Sequence, residues 1–190
     1  MMSTWLEQPG YPVVNVKVVN DKLTLSQEQF FIGDGVDQKR QWQIPLHSNY
    51  TDIPELMVTQ QLELGDYEEL RQVAGTPFRL NLDNTAHFIV NYEPALLQDI
   101  LNHVDSLSAI TQLQLLQDLR LLAEGRQISY AVVVPILRNF AASQSGVVNT
   151  ALYQVIGNLK KFMTPDTSEE KAFKQLVNEL SASQFARLDW

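Results

Sequence analysis

The 190-residue sequence predicts an α+β fold with segregated halves. An N-terminal antiparallel β-sandwich is expected over residues 1–92, and an α-helical antiparallel, solenoid-like array over residues 93–190. Three observations carry this expectation. Residues 1–92 hold five of the eight glycines and five of the eight prolines, whereas residues 93–190 hold 16 of the 26 leucines. Short β-branched and alternating runs separated by turn residues fill the first half. Apolar residues at helical spacing fill the second.

The strands are read in order. Pro12–Val19 carries Val13, Val14, Val16, Val18 and Val19, which suit a half-buried pleated surface. Asn20-Asp21 is a tight-turn signal, and Lys22–Ser26 alternates Leu23 and Leu25 on one face. Gln29–Ile32 continues as a strand up to Gly33-Asp34-Gly35, a second turn. Gln41–His47 places Trp42, Ile44 and Leu46 together, and Pro45, which cannot donate to a ladder, assigns that strand to an edge or a bulge. Met57–Leu64, Pro77–Leu82 and His87–Tyr92 complete a series of about seven short strands, the pattern of a sandwich.

The helices follow. Leu97, Ile100, Leu101 and Val104 lie at i, i+3, i+4 and i+7 behind Pro94, which fits a first helical turn. Ser108 can cap a helix that is apolar nearly all round and therefore buried between neighbours, with Gly125 as its stop. Ser129 opens a third helix through Phe140, kinked because Val132-Val133-Val134 and Pro135 disfavour a straight one. Gly146–Met163 carries Val148, Leu152, Val155, Leu159 and Phe162 on one stripe and ends before Pro165. Ser168 opens a fifth helix with Phe173, Leu176, Val177 and Leu180. Short joints make neighbouring helices antiparallel, and pairs recur about every 35–40 residues, as in helical solenoids.

Charge and composition exclude several function classes. With 14 Lys+Arg against 22 Asp+Glu, the net charge of −8 argues against nucleic acid and anionic membrane as partners. The absence of cysteine removes disulfide scaffolds, thiolate zinc sites, iron–sulfur clusters and cysteine nucleophiles, and favours a cytoplasmic protein. No apolar run approaches the ~20 residues of a membrane span. The N-terminal stretch MMSTWLEQPGYP lacks the basic start and apolar core of a secretion signal.

The chemistry-bearing residues form no recognisable motif. His47, His87 and His103 do not form H-E-x-x-H, and His103 with Asp105 is the nearest approach to a metal pair; an ordinary helix-end histidine explains it. Asp66, Glu68 and Glu69 read as a solvated loop or helix start, since a calcium loop needs more oxygens in a set order. Gly33-Asp34-Gly35-Val36-Asp37 reads as a hairpin turn, because no Gly-Lys-Ser/Thr follows. No serine lies in G-x-S-x-G. Trp5, Trp42 and Trp190 read as packing anchors, and Asn49-Tyr50-Thr51 as a chance glycosylation triplet. The expectation is no catalytic, cofactor-binding or metal-ligating residue in this chain.

Five phrases go further. Trp5-x-x-Gln8-x-Gly10-Tyr11-Pro12-Val13 is followed by Leu23-x-Leu25-x-Gln27-x-x-Phe30 and Trp42-x-Ile44-Pro45-Leu46. Phe78-Arg79-Leu80-Asn81 then leads to Phe88-Ile89-Val90-Asn91-Tyr92. In this order the phrases resemble the aminopeptidase N family of gluzincin zinc aminopeptidases, in the region after the catalytic domain. The resemblance covers the whole chain and is strongest over residues 4–92. It departs at Ile89, where the family usually has arginine. The family's H-E-x-x-H, its glutamate ligand and its G-A-M-E-N-type segment are absent, and the helical part is shorter than in the family.

The resemblance implies a non-catalytic C-terminal region of a zinc aminopeptidase. Zinc would sit in the parent's catalytic domain, which is also this chain's expected partner; peptide substrate would bind only the full-length enzyme. The sandwich would act as spacer and the helices as partial cover of the active site. The competing readings are a stand-alone protein-interaction adaptor and an unrecognised small hydrolase. The last helix, with Phe173, Leu176, Leu180, Phe185 and Leu188-Asp189-Trp190, is expected to expose an apolar patch that drives self-association.

Overall fold

A β-hairpin whose first strand is bonded along both edges organises the first part of the chain. The computed structural model describes residues 3–36 and 38–186. Strands β1 (Pro12–Val19) and β2 (Lys22–Gln29) pair antiparallel over their full length, from Pro12 opposite Gln29 to Val19 opposite Lys22. Asn20 and Asp21 both adopt left-handed φ, 49° and 66°, which matches the twist of a two-residue hairpin turn. On the far side of β2 lies β5 (Gln61–Asp66), antiparallel; on the far side of β1 lies β6 (Ile89–Tyr92), parallel. The sheet is thus mixed, in the order β5-β2-β1-β6, rather than purely antiparallel. Val13, Val14 and Val16 have no exposed surface, as expected for a strand covered on both faces. A second, two-stranded ribbon joins β3 (Ile44–Pro45) to β4 (Leu56–Met57).

Three of the expected strands are shorter or broken, and the cause is side-chain competition for backbone groups. Gln27 is 1% exposed. Its amide nitrogen donates to Trp42 O at 3.0 Å and Thr59 O at 2.8 Å, and its amide oxygen accepts from Trp42 N at 2.7 Å. Its backbone N–H donates to Gln60 O, and Gln60 returns a bond to Gln27 O. The segments around Trp42 and Thr59 are therefore tied to β2 by one glutamine rather than by a ladder. The expected strand 41–47 shrinks to Ile44–Pro45, and 57–64 breaks between β4 and β5. Strand 77–82 is reduced to an isolated bridge between Ser48 and Leu80, because Leu80 N donates to the Tyr92 hydroxyl and Asn81 turns left-handed at φ 59°. The glycines of residues 33–35 do not join a hairpin. β2 ends before them at Gln29, and Gly33 sits at φ 85° in a bend.

Two short helices accompany the strands of this part. α1 (Ser3–Leu6) is a single turn, held by the Trp5 indole donating to Gln43 O at 2.9 Å. α2 (Tyr67–Ala74) starts at Asp66, whose carboxylate accepts from Glu69 N, and stops at Gly75 in left-handed conformation. β6 leads into α3 (Pro94–Leu101), with Pro94 in the first turn.

The helical part contains α4 (Ala109–Glu124), α5 (Tyr130–Ile136), α6 (Gly146–Lys160) and α7 (Ser168–Phe185). The Ser108 hydroxyl caps α4 by accepting from Thr111 N, and no residue from 111 to 124 is exposed. α5 passes into a 3-10 turn, Leu137–Phe140, just after Pro135. α6 buries Val148, Leu152, Val155 and Leu159; Phe162 lies beyond its end and is 67% exposed. α7 is capped by Thr167, one residue before the expected Ser168, and buries Leu176 and Leu180. By compactness the chain divides into Met1–His103 with Glu124–Gln127, and Val104–Ala123 with Ile128–Trp190, so α3 groups with the strands.

Gly125 has a different duty from the helix stop expected of it. The left-handed residue after α4 is Arg126, at φ 60°. A Cβ on Gly125 would lie 2.6 Å from the Phe30 ring and 2.9 Å from Phe31 O, so only glycine fits. Gly125→Ala is expected to destabilise the protein by ~1–3 kcal/mol in urea unfolding. Gly157→Ala, in α6 with open space around the added methyl, is expected to stabilise it by up to ~1 kcal/mol in the same assay. Gln27→Leu removes three buried hydrogen bonds while keeping the volume, with an expected cost of roughly 2–4 kcal/mol by the same measurement.

Candidate functional site

The residues singled out by chemistry are placed separately, each with a structural partner. His47 Nδ1 lies 3.4 Å from the Thr85 hydroxyl. The His87 ring packs at a tilt of 44° against Tyr11, with centroids 4.7 Å apart. His103 Nδ1 lies 2.8 Å from Asp99 O, one turn back at the end of α3. Asp105 follows in a short 3-10 turn, Val104–Ser106. Among the described residues no group of three or more His, Asp or Glu stands together as a metal site. Asp66, Glu68 and Glu69 form the capped first turn of α2, where acidic groups meet the positive end of the helix. Asp37 and Trp190 lie outside the described residues; Trp42 is wholly buried.

Asn49 is engaged in the fold. Its amide nitrogen donates to Pro77 O at 2.8 Å and its amide oxygen accepts from Arg79 N at 2.6 Å, so the atom a glycan would take is committed to the backbone. Ile89, the departure from the family arginine, sits in β6 opposite Val13 and is 2% exposed. An apolar side chain satisfies that position without a charge partner.

Two features combine several polar or apolar groups. The first is a polar cluster of Tyr50, Tyr67, Arg71, Asp99 and His103. Arg71 Nε donates to Asp99 at 2.8 Å, and this bond holds the guanidinium above its ordinary value. The Tyr50 hydroxyl donates to Thr76 O at 3.0 Å. Burial pushes both tyrosines up. The cluster fastens α2 to α3 and places no nucleophile beside a base. The second is an open groove of about 660 Å³ between α6 and α7, with Tyr153, Ile156, Met163, Phe173 and Val177 in its wall. The cluster was not visible in the sequence, whereas Phe173 in the groove belongs to the apolar patch expected on the last helix; of the other residues expected there Phe185 is exposed, Leu176 and Leu180 are buried, and Leu188-Asp189-Trp190 lie outside the described residues. Arg71 and Asp99 are 28 positions apart with no motif around them, and the groove depends on where α6 ends.

The model of the ERAP1-like C-terminal domain family matches residues 78–190. The chain belongs to that family. Over its whole length it is 53% identical to part of aminopeptidase N of Lactobacillus helveticus and 50% identical to part of aminopeptidase N of Lactobacillus delbrueckii subsp. lactis. It is 24% identical, over 99% of its length, to tricorn protease-interacting factor F2 of Thermoplasma volcanium. In each case it spans 22% of the relative's length. The resemblance carried by the five phrases is thus met, and the ERAP1-like match covers the helical half, where the phrases were fewest.

The tyrosines allow a test of the polar cluster. Their folded pKa values are raised above 10.0, so the neutral form is favoured on folding. That contribution is present in full below pH ~10 and is lost as pH rises through the folded values. Spectrophotometric titration is expected to show Tyr50 and Tyr67 ionising late. Tyr50→Phe is expected to flatten the alkaline fall in melting temperature, and to cost ~1 kcal/mol at neutral pH for the lost bond to Thr76.

Proposed function

We propose that this chain is a non-catalytic region of a zinc-dependent aminopeptidase, serving as spacer and as partial cover of the active site. One observation carries the reading: the entire chain aligns with part of bacterial proteins named aminopeptidase N, at up to 53% identity. The residues described above support it. Each histidine has a structural partner of its own, and among the described residues no three His, Asp or Glu stand together as a zinc site would need. Zinc, where the parent binds it, polarises the scissile carbonyl and activates water. That chemistry lies outside this chain. The sheet, clamped by Gln27 and fastened to α2 and α3, is a rigid spacer; the helices limit which peptides enter. The partner is the parent's catalytic domain. The lack of cysteine supports a cytoplasmic setting. No helix among the described residues is long and apolar enough to cross a membrane.

A chimera tests the reading. Replacing the matching 22% of the Lactobacillus helveticus enzyme with this chain is expected to leave a folded protein that cleaves aminoacyl p-nitroanilides within about tenfold of the parent's rate. The isolated chain is expected to show no turnover with or without added zinc. Turnover by the isolated chain, abolished by changing His47, His87 or His103, would overturn the proposal; so would a chimera that folds without activity.

A further inference from the structure

We propose that Asp34-Gly35 is a modification site at which the folded chain converts aspartate to isoaspartate, giving a substrate for isoaspartyl methylation. No other aspartate or asparagine in the sequence precedes a glycine. The peptide nitrogen of a glycine is the least shielded attacking group, because no Cβ stands beside it. Asp34 lies in a bend between β2 and β3, in neither strand nor helix, and its side chain is fully exposed. Its charged neighbour is Arg126, 3.8 Å away and itself 79% exposed, a screened pair that leaves the carboxyl free to turn. The Gly35 N–H donates to no group among the described residues. The attacking nitrogen and the carboxyl it attacks are thus adjacent, and neither is committed to the fold.

Packing retains the reactive pair. A Cβ on Gly35 would collide with the Phe31 ring, so that position admits only glycine. Other acidic and amide side chains are held elsewhere. The Asp66 carboxylate caps α2, Asp99 pairs with Arg71, and the amides of Asn49 and Asn81 are bonded to backbone through both atoms. In the reaction Gly35 N attacks Cγ of the protonated Asp34 carboxyl. The N–Cγ bond forms, the C–OH bond breaks, and water leaves with the amide proton. A second water opens the succinimide at the Cα carbonyl and breaks the former peptide bond. The main chain now runs through Cβ and Cγ, and the α-carboxylate is free. Its oxygen can take a methyl group from a sulfonium donor, which leaves as a thioether. Isomerisation itself changes neither mass nor charge.

The inference concerns one bend of this chain and stands or falls independently of the aminopeptidase reading. Prolonged warm incubation of the native chain tests it, followed by peptide mapping with electron-transfer fragmentation, which separates isoaspartate from aspartate. Methyl incorporation from S-adenosylmethionine by an isoaspartyl methyltransferase gives a second readout. Isoaspartate is expected at residue 34 ahead of every other position. Its rate is expected to lie within about tenfold of that in the urea-unfolded chain, since an exposed bend reacts without global unfolding. Asp34→Glu is expected to lose the methyl incorporation. Its side chain is fully exposed, and circular dichroism verifies the fold. A native chain that stays unmodified at Asp34, isoaspartate arising first at another position, or methyl incorporation that survives in Asp34→Glu overturns the inference.

Discussion

A strand bonded on both edges and covered on both faces has every polar backbone group withdrawn from water, and each must be matched inside the protein. β1 is in that position over Val13–Val16, between β2 and β6. Its valines supply the apolar burial, and its two neighbours supply the hydrogen bonds. The rest of the strand-bearing part follows from this. β6 must arrive parallel from far along the chain, so residues 30–88 have to travel around the hairpin without taking ladder positions beside β1. Gln27 and Asn49 make that detour possible by presenting amide groups to backbone that no strand can reach.

The same constraint explains which parts of the fold could be read from residues alone. The β1–β2 hairpin is specified locally, by alternation and an Asn-Asp turn, and its bounds coincide with expectation at the β1 end and at the turn. The helices are specified by stripes such as Val148-Leu152-Val155-Leu159, which need no distant partner to be recognised. The segments around Trp42, Thr59 and Leu80 alternate like strands, yet their hydrogen bonds go to the Gln27 amide or the Tyr92 hydroxyl. Nothing in the alternation of β2 marks Gln27 as a clamp rather than a polar residue on a strand. α2 was signalled only at its acidic start, because it buries no residue and is held by caps and by Arg71 with Asp99.

The chemically suggestive residues show a similar division. Asp66 and its neighbours were legible as a solvated loop or a helix start, and the local cap at Asp66 makes them the latter. The duties of the histidines were not, since each meets a partner set by packing. Gly125 is instructive here. A glycine after a helix invites a conformational explanation, but the left-handed turn falls on Arg126 and the glycine serves close approach to Phe30. Only coordinates separate the two reasons for a missing side chain. Membership of the ERAP1-like C-terminal domain family is consistent with a sequence whose demanding positions are those of packing and backbone satisfaction.

Asn49 has a consequence for production of the protein in foreign hosts. Sugar transfer acts on nascent, unfolded chain, at a moment when this amide is free. Once a glycan occupies it, the nitrogen can no longer be presented freely to Pro77 O, and the strand-like segments on either side of residues 50–76 lose their fastening. Secretory expression in a eukaryotic cell therefore sets oligosaccharide attachment in competition with closure of this loop, whereas a bacterial cytosol imposes no such race.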